Sequence, residues 1–376
     1  MNTPVSAHVS APPVALTTPE VRTDGTFGGL AARQSVALVY SSHPLQYPRS
    51  YWVRDQLWTL YSTVAQDSFE VHAVRSDPRT QSVLAPDLLT ASDHHLSAYA
   101  SLAQSPERVA LAFDDDSLGP RSSRFAMLGD PASVTATQPL QPDSARTLFV
   151  GETSASMAWS ATDRQWGVIA GSRDHLVFAR LARDGALIAG SANRIDSVGY
   201  VRGCGESFLH NGRAWVALAG AGSLGLSLLE FDTRSHRLVR LGLGSLGQVV
   251  EASMSHHGGR YGVAWVDERG AQISVVRDAQ THTRPVILAD STARAGSPVI
   301  AMDGSQFVVL WTENPSISLV RRAVVSHEGV LIRSELFASH PTQHQWFPHL
   351  SPVTNGPRLA HTWQSGQSEA RVWVSE

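Results

Sequence analysis

Apolar residues along this chain alternate with small or polar ones over short runs, and the runs recur. RYGVAWVDERGAQISVVR (260–277) puts Tyr261, Val263 and Trp265 on one side of an extended chain. QFVVLWTENPSISLVRRAVV (306–325) repeats this with Phe307, Val309 and Trp311, and QWGVIAGSRDHLVFARLARDG (165–185) is a third copy. A period of two predicts β-strands with one buried face. Each copy holds two such strands around a turn rich in Gly, Asp or Asn, which reads as a hairpin. The first strands begin near Gln165, Arg213, Arg260, Gln306 and Pro357, at intervals of 48, 47, 46 and 51 residues. A repeat of about that length predicts a stacked or circular array.

Each unit resolves into four strands, A to D. B ends on a large aromatic; C follows (Ile273 to Arg277, Ile317 to Arg321); D comes after a Gly turn such as Glu328-Gly329. A is short and rich in small residues, as in EASMSHHG (251–258) and SPVIAMDG (297–304), which suits an innermost position. Units fall near 49–91, 97–150, 156–195, 205–247, 251–290, 297–339 and 347–376. The last stops after its C strand, and SVALVY (35–40) is a strand without a unit. Ser42-His43-Pro44-Leu45-Gln46 follows that orphan, and Ser339-His340-Pro341-Thr342-Gln343 follows strand D of unit six. The shared connector predicts that the orphan supplies the missing D strand and closes a ring, leaving no exposed edge there. This arrangement resembles the seven-bladed β-propeller superfamily over residues 33–376, and within it the divergent bacterial propellers without Gly-His/Trp-Asp or kelch signatures. The resemblance implies an all-β fold of four-stranded blades, and fold only.

The expected organisation is one propeller domain (32–376) behind a Pro/Thr/Ala-rich leader (1–31). Segment 86–102 could hold a helical turn, and 129–155 is long enough for a surface insertion. Composition removes several chemistries. The net charge of −3 gives no argument for nucleic acid, and no apolar run is long enough to span a bilayer. All 30 basic residues are Arg, so a Schiff-base lysine and a lysine-bearing phosphate loop are excluded. Cys204 stands alone, without a disulfide or thiolate-zinc partner. The leader lacks a basic stretch and a long apolar stretch, so a cytoplasmic location is expected unless a signal was removed.

Motifs are sparse. Gly242-Leu-Gly244-Ser-Leu-Gly247 and Gly220-Ala-Gly222-Ser-Leu-Gly225 match a dinucleotide fingerprint but lie between strands, which makes them turn glycines. No cofactor is expected. Asp114, Asp115 and Asp116 are the densest carboxylates; they read as a solvated hairpin turn or as weak oxygen ligands for Ca²⁺. The D–A connectors are richer. His43, Tyr47 and Arg49 in one, and His340, Gln343, His344 and Trp346 in the next, combine rings with orienting polar groups. Such a set suits a carbohydrate or peptide ligand, or else only stiffens the crossovers. The first expectation is thus a monomeric, non-enzymatic binding module using the D–A/B–C loop face. The alternative is a lyase or hydrolase with acid–base groups at the axial funnel, drawn from Arg54, His95, Arg202, Glu206, Glu251 and His349.

Overall fold

Seven antiparallel sheets stand around a common axis, each with its inner strand A at the centre. The computed structural model describes residues 35–375 except 42, 66–67, 78–81, 84–85, 91–94, 118, 129–144, 173, 202, 221–224, 233–236, 246, 250, 278–280, 315 and 353–357. The expected leader and most of the expected insertion lie outside the described residues. The inner strands are Leu45–Val53, Ser97–Gln104, Thr153–Ser160, Gly199–Tyr200 with Phe208–His210, Ala252–His257, Gly296–Asp303 and Gln345–Pro352, for blades 1 to 7. Segment 86–102 holds an outer strand piece, Asp87–Leu88, and the start of an inner strand. Among the described residues the one helical element is the short turn Ser291–Ala293, and no helix is long and apolar enough to cross a membrane.

The ring closes as the strand count required. Val36–Tyr40 pairs with Glu369–Val374, with Val36 opposite Val372 and Tyr40 opposite Glu369. The fully buried Arg371 ties the splice: its Nε donates to Ser35 Oγ at 3.1 Å and its Nη1 to Glu369 at 2.5 Å. The fold is a seven-bladed β-propeller.

The core lies between blades, because each sheet buries both faces against its neighbours. One cluster joins Trp58 and Leu60 of blade 1 to Leu111 and Phe113 of blade 2; another joins Trp311 of blade 6 to Ile273 and Val275 of blade 5. Large aromatics stand near the end of strand B in blades 2, 5, 6 and 7, as the repeat predicted, whereas in blade 1 Trp58 is near the start and Tyr61 mid-strand. Blades 3 and 4 differ: Trp166 and Trp215 sit at the start of B. Gly167 makes this possible, since a Cβ there would lie 2.5 Å from the Trp215 ring.

Antiparallel order puts every D–A connector and B–C turn on one face, called here the connector face. The A–B and C–D turns occupy the other.

Candidate functional site

Five inner strands break register at an equivalent point near the connector face. The pairing slips between Gln46 and Arg49, Ala98 and Ser101, Thr153 and Ser156, Gly296 and Val299, and Trp346 and His349. In each slip a non-glycine residue adopts left-handed backbone: Tyr47, Tyr99, Ser154, Ser297 and Phe347, with φ from 44° to 61°. Such bulges re-aim a side chain. Pro48, Pro298 and Pro348 follow three of them, where the ladder needs no N–H donor. The re-aimed rings meet at the top of the axis: Tyr47 lies 4.9 Å from Tyr99 and 4.5 Å from Phe347. Carboxylates hold two of the bulged amides. Ser297 N–H donates to Glu251 at 2.6 Å, and Ser154 N–H to Asp114 at 2.8 Å.

Beside this aromatic cluster a cleft of 590 Å³ opens among blades 5, 6, 7 and 1. Gln46, Asn314, Gln364 and Gln367 line it with amides, Trp346 with a ring, and Glu251 with a carboxyl. Trp346 is fixed in place: its Nε1 donates to Ser318 Oγ at 2.7 Å, and His344 stacks on it at 4.8 Å. The His344 ring is itself oriented by the Ser318 N–H, which donates to Nδ1 at 2.9 Å. Gln364 is 2% exposed, and its Nε2 donates to the Gly366 carbonyl at 3.0 Å. That bond fixes the amide orientation and leaves Oε1 buried without a partner. Burial pushes the Glu251 carboxyl above its usual pKa, against the opposing pull of the Ser297 hydrogen bonds and the Arg49 charge. Burial, followed by the hydrogen bond with Tyr99, likewise keeps the Tyr47 phenol protonated, and the Glu251 charge adds to the effect.

The axial channel is occupied by the protein itself. Residues Gly203 to Glu206 of blade 4 lie outside the ladder formed by Gly199–Tyr200 and Phe208–His210 and turn inward. Gly203 and Gly205 let this segment pass the inner strands of blades 5 and 6: a Cβ at Gly203 would lie 2.4 Å from the Ala252 carbonyl oxygen. Arg49 reaches across from blade 1 and donates to the Gly203 carbonyl at 2.7 Å. Burial works against its charge, and the fields of Tyr51, Cys204 and Glu206 outweigh it. His349 is buried beside it, and burial followed by the Arg49 charge pushes its pKa down to about 3. Its Nδ1 has no hydrogen-bond partner.

No family model matches the sequence, and no curated protein matches it. Solved structures match in fold. These include an ulvan lyase and two sialidases. The ulvan lyase, from a polysaccharide lyase family, superposes with a TM-score of 0.53 at 9% identity over 90% of this chain and 95% of that one. The Trypanosoma rangeli sialidase bound to 2,3-difluorosialic acid gives 0.51 at 7% identity over 89% of this chain and 54% of that one. The NanB sialidase of Streptococcus pneumoniae gives 0.50 at 7% identity, over 89% and 69% of the two chains. This propeller spans about half the length of the T. rangeli enzyme and nearly all of the ulvan lyase. At such identities the likeness is one of fold.

Within this propeller the residues singled out from the sequence part ways. Trp346 and Glu251 line the cleft, Tyr47 lies in the aromatic cluster, and His344 backs Trp346. Arg49 and His349 turn into the axial channel, and the Glu206 backbone carbonyl holds Met254 N–H at 2.6 Å close by. His340 caps its own connector, accepting from the amides of Thr342 and Gln343. Gln343 is exposed and accepts from Ser365 Oγ at 3.4 Å, while His43 is exposed beside the first connector. His95 sits on the rim of blade 2, 3.3 Å from Asp116. Arg54 occupies an A–B turn on the opposite face, and Arg202 lies outside the described residues.

The three aspartates are not a solvated turn. Asp114 and Asp115 end strand B of blade 2 and are buried. Asp114 is spent on Arg121 and Ser154 N–H, and Asp115 on Ser97, Ser117 and Arg124. Asp116 accepts from Leu96 N–H at 2.8 Å. Each carboxylate thus serves different protein donors, and among the described residues no set of three acidic, His or Cys groups could hold a metal ion.

Gln364, Asn314 and Gln46 escaped sequence reasoning because isolated amides carry no motif. The bulges left a trace. Tyr47 to Tyr61, Tyr99 to Phe113 and Ser297 to Trp311 are each fourteen residues apart. One further constellation looks catalytic. Ser172 Oγ lies 3.0 Å from His175 Nδ1, with Glu152 at 2.5 Å from Nε2. Asp174 defeats it, because it accepts the Ser172 hydroxyl proton at 2.5 Å and also binds Nδ1 at 2.8 Å.

Proposed function

We propose that this propeller binds a saccharide chain in the connector-face cleft and that Glu251 handles the proton exchanged when the chain is cleaved. The observation that carries this reading is Glu251 itself, a carboxyl lining a cleft of ring and amide groups with its pKa raised by burial. A carboxyl shifted toward working pH is suited to general acid or base catalysis. The neighbouring Tyr47 phenol, held protonated, is a second group able to share that proton. Trp346 offers a fixed aromatic face, the kind of surface on which a sugar ring packs. The fold likeness to an ulvan lyase and to sialidases fits a carbohydrate-active protein.

A second reading, recognition without turnover, is favoured by one observation. Among the described lining residues Glu251 is the sole carboxylate, whereas glycoside hydrolysis commonly uses two.

The test is a polysaccharide panel assayed for new reducing ends and for the ultraviolet absorbance of unsaturated products. Glu251→Gln is expected to lower turnover by about 100-fold or more while leaving affinity within about threefold. Trp346→Ala is expected to weaken binding about tenfold. Binding that depends on Trp346 without turnover of any polysaccharide selects the second reading, and absence of binding removes both.

A further inference from the structure

We infer that the cleft selects neutral sugar chains and rejects acidic ones, an inference that rests on the saccharide reading above. Its polar lining is made of uncharged amides and hydroxyls together with the Glu251 carboxyl, and no Arg or His stands among its described lining residues. A sugar carboxylate or sulfate binds where a cation or a cluster of N–H donors receives it. The exposed Arg294, whose carbonyl holds Asn314 Nδ2 at 3.0 Å, is not among the described lining residues, and two further cations are committed elsewhere. Arg49 is buried with its guanidinium on the Gly203 carbonyl, and Arg121 pairs with Asp114 at 2.8 Å while lying over the Tyr99 ring. An anion in the cleft would instead face Glu251.

The hydrogen-bonding character points the same way. Gln364 Oε1 is a buried acceptor with no donor, in a side chain whose orientation the Gly366 carbonyl fixes. An acceptor left open in this way calls for a ligand that brings O–H groups. Glu251 is already held by the Ser297 N–H and hydroxyl, and its remaining lone pairs can still accept from a ligand hydroxyl. Trp346 supplies the apolar contact that a hydroxylated but uncharged ring also needs. A neutral glycan meets these three demands together, whereas an acidic one replaces a donor with a charge.

The experiment measures affinity by calorimetry for matched pairs of probes. These are lactose against 3′-sialyllactose, and methyl-esterified against free hexagalacturonate, supplemented by cellohexaose and mannohexaose. Salt is set at about 20 mM and about 150 mM, because screening would mask repulsion. At least one neutral probe is expected to bind, with acidic counterparts at least tenfold weaker and the gap wider at low salt. Gln364→Leu is expected to lower neutral affinity about tenfold with an unchanged thermal midpoint. The exposed Gln367→Arg variant, which disturbs no buried side chain, is expected to admit the acidic partner. Acidic probes binding as tightly as their neutral partners would overturn the inference and leave the saccharide reading standing. If no probe of either class binds, both readings fail.

Discussion

Burial of His349 and His361 is expected to make this fold acid-sensitive. His361 is fully buried, stacked on Phe337 at 5.2 Å and close to Trp373 at 4.6 Å. Burial and then the Arg322 charge push its pKa down to about 3, as burial and Arg49 do for His349. In the unfolded chain both would titrate near their ordinary value of about 6.5. Below that pH the unfolded state therefore binds protons that the folded state refuses, so stability falls as pH drops from about 6.5 toward 3. The slope is about 1.4 kcal/mol per pH unit for each histidine, or about 2.7 for the pair. His361→Phe keeps an aromatic ring against Phe337 and Trp373 and removes one proton site. Urea midpoints measured at pH 7 and pH 5 should then converge by at most about half relative to the parent, because His72, which burial also pushes down, shares the effect; an unchanged gap would assign the acid limb to other groups.

At the scale of the element, the inner-strand bulge turns a repeated scaffold into a site, and it was the least legible feature in the sequence. Alternation announced the B and C strands because their buried faces follow a strict period of two. The inserted residue at Tyr47, Tyr99 or Phe347 breaks that period, and a broken period looks like a strand end. Blade 4 hid still more, since its residues Gly203 to Glu206 lie outside the ladder and turn inward. Asp114 tests the energetics of one bulge. It is fully buried and holds both Arg121 and the left-handed Ser154 amide. Asp114→Ala leaves a half-buried guanidinium and an amide unpaired, which should cost about 3 kcal/mol or more in chemical denaturation. Ser154→Gly keeps the amide and relieves the positive φ of 61°, so its effect should lie within about 1 kcal/mol of the parent. Equal losses in the two variants would mean that the carboxylate matters for something other than the bulge.

For the whole molecule, ring closure was legible and the cleft was not. Closure needed only a count of strands, one missing at the end and one spare at the start. The repeated Ser-His-Pro-x-Gln connector led to the right pairing from copies that are not structurally equivalent. Superposing the bulges sets Tyr47 on Phe347, which puts Pro44 against His344 rather than Pro341. The cleft draws Gln46, Glu251, Asn314 and Gln364 from four separate blade segments, and only the closed ring brings them together. Closure is thus a condition for the site as well as for stability. The closing strand buries Ala37, Leu38 and Val39, each at most 4% exposed, with Leu38 and Val39 worth about 1.5–3 kcal/mol apiece. Its Ser35 also serves the buried Arg371. Removing residues 1–41 should therefore lower the thermal midpoint by on the order of 10 °C and free the edge of Glu369–Val374 for association between molecules. Removing only residues 1–31 should leave the midpoint within about 2 °C. A synthetic peptide of residues 35–41, added to the longer truncation, should recover part of the loss and return the protein to the parent's elution volume. If both truncations melt alike, the Val36–Tyr40 strand does not hold the ring, and packing among blades 5, 6, 7 and 1 must assemble the cleft without it.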